Sequence, residues 1–140
     1  MYQRKIVAVS GGFDPIHVGH IRMIQEAAEL GNVVVIANSD DWLLRKKGYV
    51  FMKYEERQEI LKSIKGVVNV FKASDEDNTV CRSLKIIKPD IFANGGDRKE
   101  GNVPEYKVCE NLGIELRFGI GGDDKPQSSS WLVEKARESK

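Results

Sequence analysis

Three features of the chain predict an α/β fold with a five-stranded parallel sheet covered by helices on both faces. Apolar runs of strand length alternate with amphipathic segments of helix length through most of the 140 residues. The apolar runs are continuous rather than alternating, the pattern of strands buried on both sides. Glycine turns follow several of those runs, so parallel strands would gather them on one edge of the sheet.

The first strand is expected over Lys5 to Val9, closed by Ser10-Gly11-Gly12. A helix follows from His17 to Leu30, with Ile21, Ile24, Ala27, Ala28 and Leu30 facing inward and Gly31 placed as its C-terminal cap. Val33 to Ala37 is β-branched and apolar, as a central strand requires. Asn38-Ser39-Asp40 supplies N-cap chemistry for a short helix carrying Trp42, Leu43 and Leu44. Arg45-Lys46-Lys47-Gly48 breaks that pattern and is expected to be a loop.

Helical spacing returns from Tyr54 to Lys65 through Ile60, Leu61 and Ile64, and Val67 to Phe71 makes a third strand. Asp77 to Lys88 predicts a helix with an acidic first turn, ended by Pro89-Asp90. Ile91 to Ala93 is a fourth strand, Pro104 to Leu112 a helix capped by Gly113, and Ile114 to Phe118 a fifth strand. Gly119 to Gln127 is a loop, after which Ser128-Ser129-Ser130 caps a last helix. The architecture these elements imply is a Rossmann-like three-layer sandwich in one domain over residues 1–140.

Composition narrows the function. Hydrophobic content of 41%, charged content of 31% and a net charge of +1 suit a globular protein. That charge argues against a broad nucleic-acid surface. No apolar run approaches the roughly 20 residues of a membrane helix. The first residues carry no signal-peptide pattern, and Cys81 and Cys109 are too few for a disulfide framework or zinc site. A reduced, cytoplasmic protein is expected.

Chemistry concentrates in Gly11-Gly12-Phe13-Asp14-Pro15-Ile16-His17-Val18-Gly19-His20. Glycines let a backbone approach an anion, and a helix start offers unpaired N–H groups to it. His17 and His20, three apart, share one helix face. As a bare pair they would equally suit a surface helix start or half of a metal site; Asp14 is expected to bond backbone N–H groups of its own turn. Lys47, or Lys46 beside it, and Arg57 can meet phosphates, although a solvated basic loop has the same composition. Asn94-Gly95-Gly96-Asp97 is a second glycine loop at a strand end, and the three serines form a further candidate anion site.

These motifs resemble the HxGH nucleotidyltransferases: Phe13-Asp14 and His17-Val18-Gly19-His20 after the glycine turn, Lys47-Gly48 leading to Glu56-Arg57, Asn94-Gly95-Gly96-Asp97, then Ser128 to Ser130. The resemblance runs from residue 5 to about 137. It implies transfer of a nucleotidyl group from a nucleoside triphosphate to a small phosphorylated acceptor, with pyrophosphate released. It assigns His17, His20, Lys47 and Arg57 to catalysis. Gly11, Gly12, Phe13, Asp14, Asn94, Gly96, Asp97, Ser128, Ser129 and Ser130 would bind nucleotide along with the histidines.

Mg²⁺ would be held mainly through the triphosphate rather than by a dedicated protein site, and family members of this size are commonly homodimers. The segment at Ile91 to Asp97 is most similar to the heptose-phosphate adenylyltransferases. Asp124-Lys125-Pro126-Gln127-Ser128 stands where cytidylyltransferases carry Arg-Thr-Glu-Gly-Ile-Ser, so ATP is favoured over CTP. Alternatives are a CTP-dependent glycerol-3-phosphate-type enzyme, a non-catalytic nucleotide sensor, and an aminoacyl-tRNA synthetase fragment, for which the chain lacks room.

Overall fold

A computed structural model describes residues 4–95, 103–118 and 120. Its order is β1 (Ile6–Gly11), α1 (Val18–Leu30), β2 (Asn32–Ala37), α2 (Asp40–Lys47), α3 (Tyr54–Lys62), β3 (Val67–Lys72), α4 (Cys81–Ile87), β4 (Ile91–Ala93), α5 (Val103–Leu112) and β5 (Glu115–Arg117). The strands lie in the order β3-β2-β1-β4-β5. Every pairing is parallel, with Val7 beside both Val33 and Ile91.

Alternate residues of the central strands feed two cores. Val7, Val9, Val33 and Val35 pack with Ile24 and Ala27 of α1 and Leu61 of α3 on one face. Ala8, Val34 and Ile36 pack with Leu84 of α4 and Cys109 of α5 on the other. This is the predicted three-layer α/β sandwich, and it explains why β2 is apolar at successive positions: both faces are covered. Parallel strands put the residues after β1, β2, β3 and β4 on one edge. Backbone bonds tie that edge together: Asn38 N–H donates to Gly11 O at 2.9 Å and Ala73 N–H to Ala37 O at 2.8 Å.

Several local expectations change. Arg45 to Lys47 is not a loop but the last turn of α2, where cations face the negative end of the helix; Gly48 at φ 83° is its left-handed cap. Helix α3 stops at Lys62 rather than Lys65. Helix α4 begins at Cys81 rather than Asp77, because Asp77 Oδ1 accepts from Thr79 N–H and its hydroxyl and holds a turn instead. Gly31 does not cap α1 in the left-handed region. It is extended, and a Cβ there would stand 2.2 Å from Lys5 O.

Candidate functional site

Strand β1 delivers the glycine turn to the middle of the carboxyl edge. A Cβ on Gly11 would come 3.3 Å from the Phe13 ring, and one on Gly12 would come 3.2 Å from Leu43 Cδ2. The left-handed residue of the turn is Phe13, at φ 54°, a costly conformation for a bulky side chain held here by its burial. The glycines therefore make room for Phe13 and Leu43, a reason that composition alone did not reveal.

The two histidines start α1 together. His17 is the N-cap, and its Nδ1 accepts from Gly19 N–H at 3.1 Å. His20 Nδ1 accepts in return from His17 N–H at 3.2 Å. The result is a capping box made of imidazoles. The rings stack with centroids 3.8 Å apart, and the edge of Phe13 meets His20 at 4.8 Å. A nitrogen that accepts carries no proton, so these bonds assign the proton of each neutral ring to Nε2. The first turn of α1 contains no acidic residue. Its partial positive charge is left for an anion from outside the helix.

Asp14 is fully buried, and its carboxylate accepts from Phe51 N–H at 2.7 Å and Met52 N–H at 2.5 Å. It bonds backbone groups as expected, but those of the α2–α3 connection rather than of its own turn. Lys47 is half-buried, with Nζ 3.4 Å from Asp14 O. Desolvation pushes its pKa below the usual lysine range; Asp14 opposes that shift and Arg57 adds to it. Lys46 is exposed, so of the two candidate lysines Lys47 is the one beside the turn.

Arg57 is 1% exposed. It donates from Nε to Met52 O, from Nη1 to Gly12 O and Asn38 O, and from Nη2 to Asp40 Oδ1, all between 2.7 and 3.0 Å. A guanidinium gripping phosphate at both prongs does not fit this arrangement. Four of its five N–H donors already hold protein, so Arg57 braces the turn that the anion would meet.

Asn94 is buried, its side-chain Nδ2 donating to Phe92 O at 3.4 Å and its backbone carbonyl accepting from Ile120 N–H at 3.0 Å. Gly96, Asp97, Ser128, Ser129 and Ser130 lie outside the described residues. The structure also gathers residues that the sequence reading passed over. Asp75, 3% exposed, accepts from Asn38 Nδ2 and from both the N–H and the hydroxyl of Ser39, pinning the chain after β3 to the start of α2. Next to it an open, polar cleft of about 70 Å³ is lined by Ser10, Asn38, Trp42, Asn78, Thr79, Val80 and Glu105. Ser39 gave a sequence signal through its N-cap position; its partner Asp75 stands 36 residues away.

Among the described residues no group of three His, Cys, Asp or Glu side chains could hold a metal ion, and no helix is long and apolar enough to cross a membrane.

Comparison with known proteins identifies the family and the fold. The chain is 38% identical over 137 residues to the bifunctional protein HldE of Hahella chejuensis, covering 96% of this chain and 28% of that protein. It is 35% identical over 121 residues to the FAD synthase of Thermococcus kodakarensis, covering 84% and 75%. It thus spans little more than a quarter of the length of the HldE relatives. Among solved structures, a lipopolysaccharide core biosynthesis protein from Thermoplasma volcanium superposes with a TM-score of 0.67 at 26% identity, over 81% of this chain and 93% of that one. A pantothenate synthetase from Thermus thermophilus shares the fold alone, with a TM-score of 0.57 at 13% identity. Residues 8–114 match the cytidylyltransferase-like family, and the chain belongs to it.

Proposed function

We propose that this protein transfers a nucleotidyl group from a nucleoside triphosphate, ATP in preference to CTP, to a small phosphorylated acceptor such as a sugar phosphate or alditol phosphate. An acceptor phosphate oxygen attacks the α-phosphorus, the bond to the bridging oxygen breaks, and pyrophosphate leaves with the electron pair. No protein nucleophile enters the balance, so catalysis rests on positioning and on charge stabilisation.

The observation that carries this reading is the stacked imidazole pair at the start of α1. Both Nδ1 atoms accept backbone N–H groups, so the proton of each ring belongs at Nε2. Two N–H donors, the helix N-terminus and the Lys47 ammonium then suit the oxygens on which charge develops. Arg57 and Asp14 act one layer behind, fixing the turn and the α2–α3 connection against each other.

Mg²⁺ fits as a companion of the triphosphate. Asp14 spends both carboxylate oxygens on N–H groups and Asp40 faces Arg57, so phosphate oxygens and water would complete its coordination. When bound it would offset negative charge on the polyphosphate. A homodimer in the cytoplasm is the accompanying proposal for its working state, and sedimentation equilibrium measures the first part.

The experiment is pyrophosphate release with each of four nucleoside triphosphates against a panel of phosphorylated acceptors. Release with ATP and a polyol phosphate supports the reading. Nucleotide binding without release under every combination would mark a sensor instead.

A further inference from the structure

Glu105 stands in the first turn of α5 and is 7% exposed, yet it takes no part in the transfer chemistry described above. Among the described residues its carboxylate accepts one hydrogen bond, from Val80 N–H to Oε1 at a long 3.4 Å. No buried side-chain polar atom of the described structure lacks a partner. The other oxygen must therefore open to solvent, and the cleft that Glu105 lines is where it can do so. A nearly buried carboxylate with so little protein bonding is expensive unless something else donates to it.

The rest of the cleft has a consistent chemistry. Ser10, Asn38, Asn78 and Thr79 present hydroxyl and amide groups, and Trp42 adds an indole. No lysine or arginine is among its described lining residues, and Asp75 sits behind Asn38 with its own negative charge. Arg45, beside the cleft, donates to Asn78 Oδ1 and Asp75 O. Among the described residues a phosphate would find no positive partner in this cleft, whereas the glycine turn next to it has Lys47. Asn38 joins the two places, since its N–H donates to Gly11 O and the residue also lines the cleft.

We propose that Glu105 is a specificity residue for the acceptor: its carboxylate accepts a hydrogen bond from a hydroxyl on the acceptor's body and turns away acceptors with a second anionic group at that end. The proposal rests on the transfer reading above and orients the acceptor, phosphate toward the glycine turn and polyol body toward α5. A site built to bond a hydroxyl discriminates more sharply than an apolar one, because the wrong group leaves a buried charge unpaired or repelled.

The test uses matched acceptors with ATP or CTP and pyrophosphate as the readout. Glycerol 3-phosphate is set against 3-phosphoglycerate, glucose 1-phosphate against glucuronate 1-phosphate, and phosphoethanolamine supplies a cationic body. Wild type is expected to favour the neutral member of each productive pair by at least about tenfold in kcat/KM. Glu105→Gln keeps an oxygen for Val80 N–H, and it should narrow that ratio by about tenfold through the acceptor KM, leaving the nucleotide KM in place.

An unchanged ratio in Glu105→Gln, or an equal loss for all acceptors, overturns the assignment while nucleotidyl transfer stands. A wild-type preference for phosphoethanolamine also overturns it, replacing the hydroxyl by an ammonium. No pyrophosphate with any acceptor brings down the transfer reading and this assignment with it.

Discussion

The guanidinium of Arg57 donates to the carbonyl of Gly12 at 2.8 Å, so the turn at the start of the site is held from inside by a side chain 45 residues further on. The same group reaches Asn38 O, Met52 O and Asp40 Oδ1. Arg57→Ala would strand three carbonyls and a carboxylate around a void, and about 3–5 kcal/mol of stability should be lost. Arg57→Lys keeps the charge, but one ammonium cannot span four acceptors in a planar fork, so about 2–3 kcal/mol should still go. Urea denaturation measures both. A Lys variant as stable as wild type would show that the fork geometry is dispensable.

His17 has two jobs that substitution can separate. Its Nδ1 caps α1 through Gly19 N–H, and its ring edge is assigned to the triphosphate. Asparagine is among the best N-caps, so His17→Asn should keep stability within about 0.5 kcal/mol while lowering kcat by about 10²–10³. His17→Ala should lose the same activity and about 1 kcal/mol of stability besides. Thermal unfolding beside steady-state kinetics reads the two effects. Near-normal kcat in the Asn variant would reduce His17 to a cap.

Lys47 predicts an asymmetry in alkali. Its pKa is lowered, with desolvation as the leading cause, so the ammonium of the folded protein is lost at a lower pH than that of a free lysine. Activity that needs this charge should fall below the ordinary lysine range near about pH 10.4. The stability consequence has the opposite sense. A depressed lysine pKa disfavours folding while the group must be charged, and that penalty fades as pH rises through the folded value. Lys47→Arg should move the alkaline limb of kcat upward even if it lowers the plateau, whereas exposed Lys46→Ala should leave the profile in place.

Legibility followed range. The central strands could be read because Val33 to Ile36 is apolar at every position, and no surface strand tolerates that. His17, His20 and the glycine turn lie within ten residues and could be read from spacing. Asp75 with Ser39 and Glu105 with Val80 could not, since only the folded sheet makes neighbours of chain segments 25 and 36 residues apart. Arg57 was visible as a cation near the right place, but its burial under Tyr54 and its four protein acceptors belong to tertiary packing. Lys47 stands beside the turn, but not in the setting its sequence suggests. It was expected in a loop, and it is presented by the last turn of a helix whose cations complement the dipole.

Gly31 carries the last prediction, because the sequence located it correctly and misread its physics. A glycine after a helix is ordinarily a left-handed cap, and replacing it by alanine costs about 1 kcal/mol of backbone strain. Gly48 is such a cap, at φ 83° with nothing within 4 Å of an added Cβ, so Gly48→Ala should cost about that much. Gly31 instead is extended, a conformation any residue adopts, and its constraint is space. An added Cβ would lie 2.2 Å from Lys5 O, the same carbonyl that accepts from Asn32 N–H at 2.8 Å. Relief requires moving the β1 backbone away from the start of β2, where Ile6 pairs with Asn32. Gly31→Ala should therefore destabilise by more than about 2 kcal/mol, exceeding Gly48→Ala, despite the easier dihedral. Matched urea titrations of the two variants decide it: a cost at Gly31 no larger than at Gly48 would mean the strand shifts freely there.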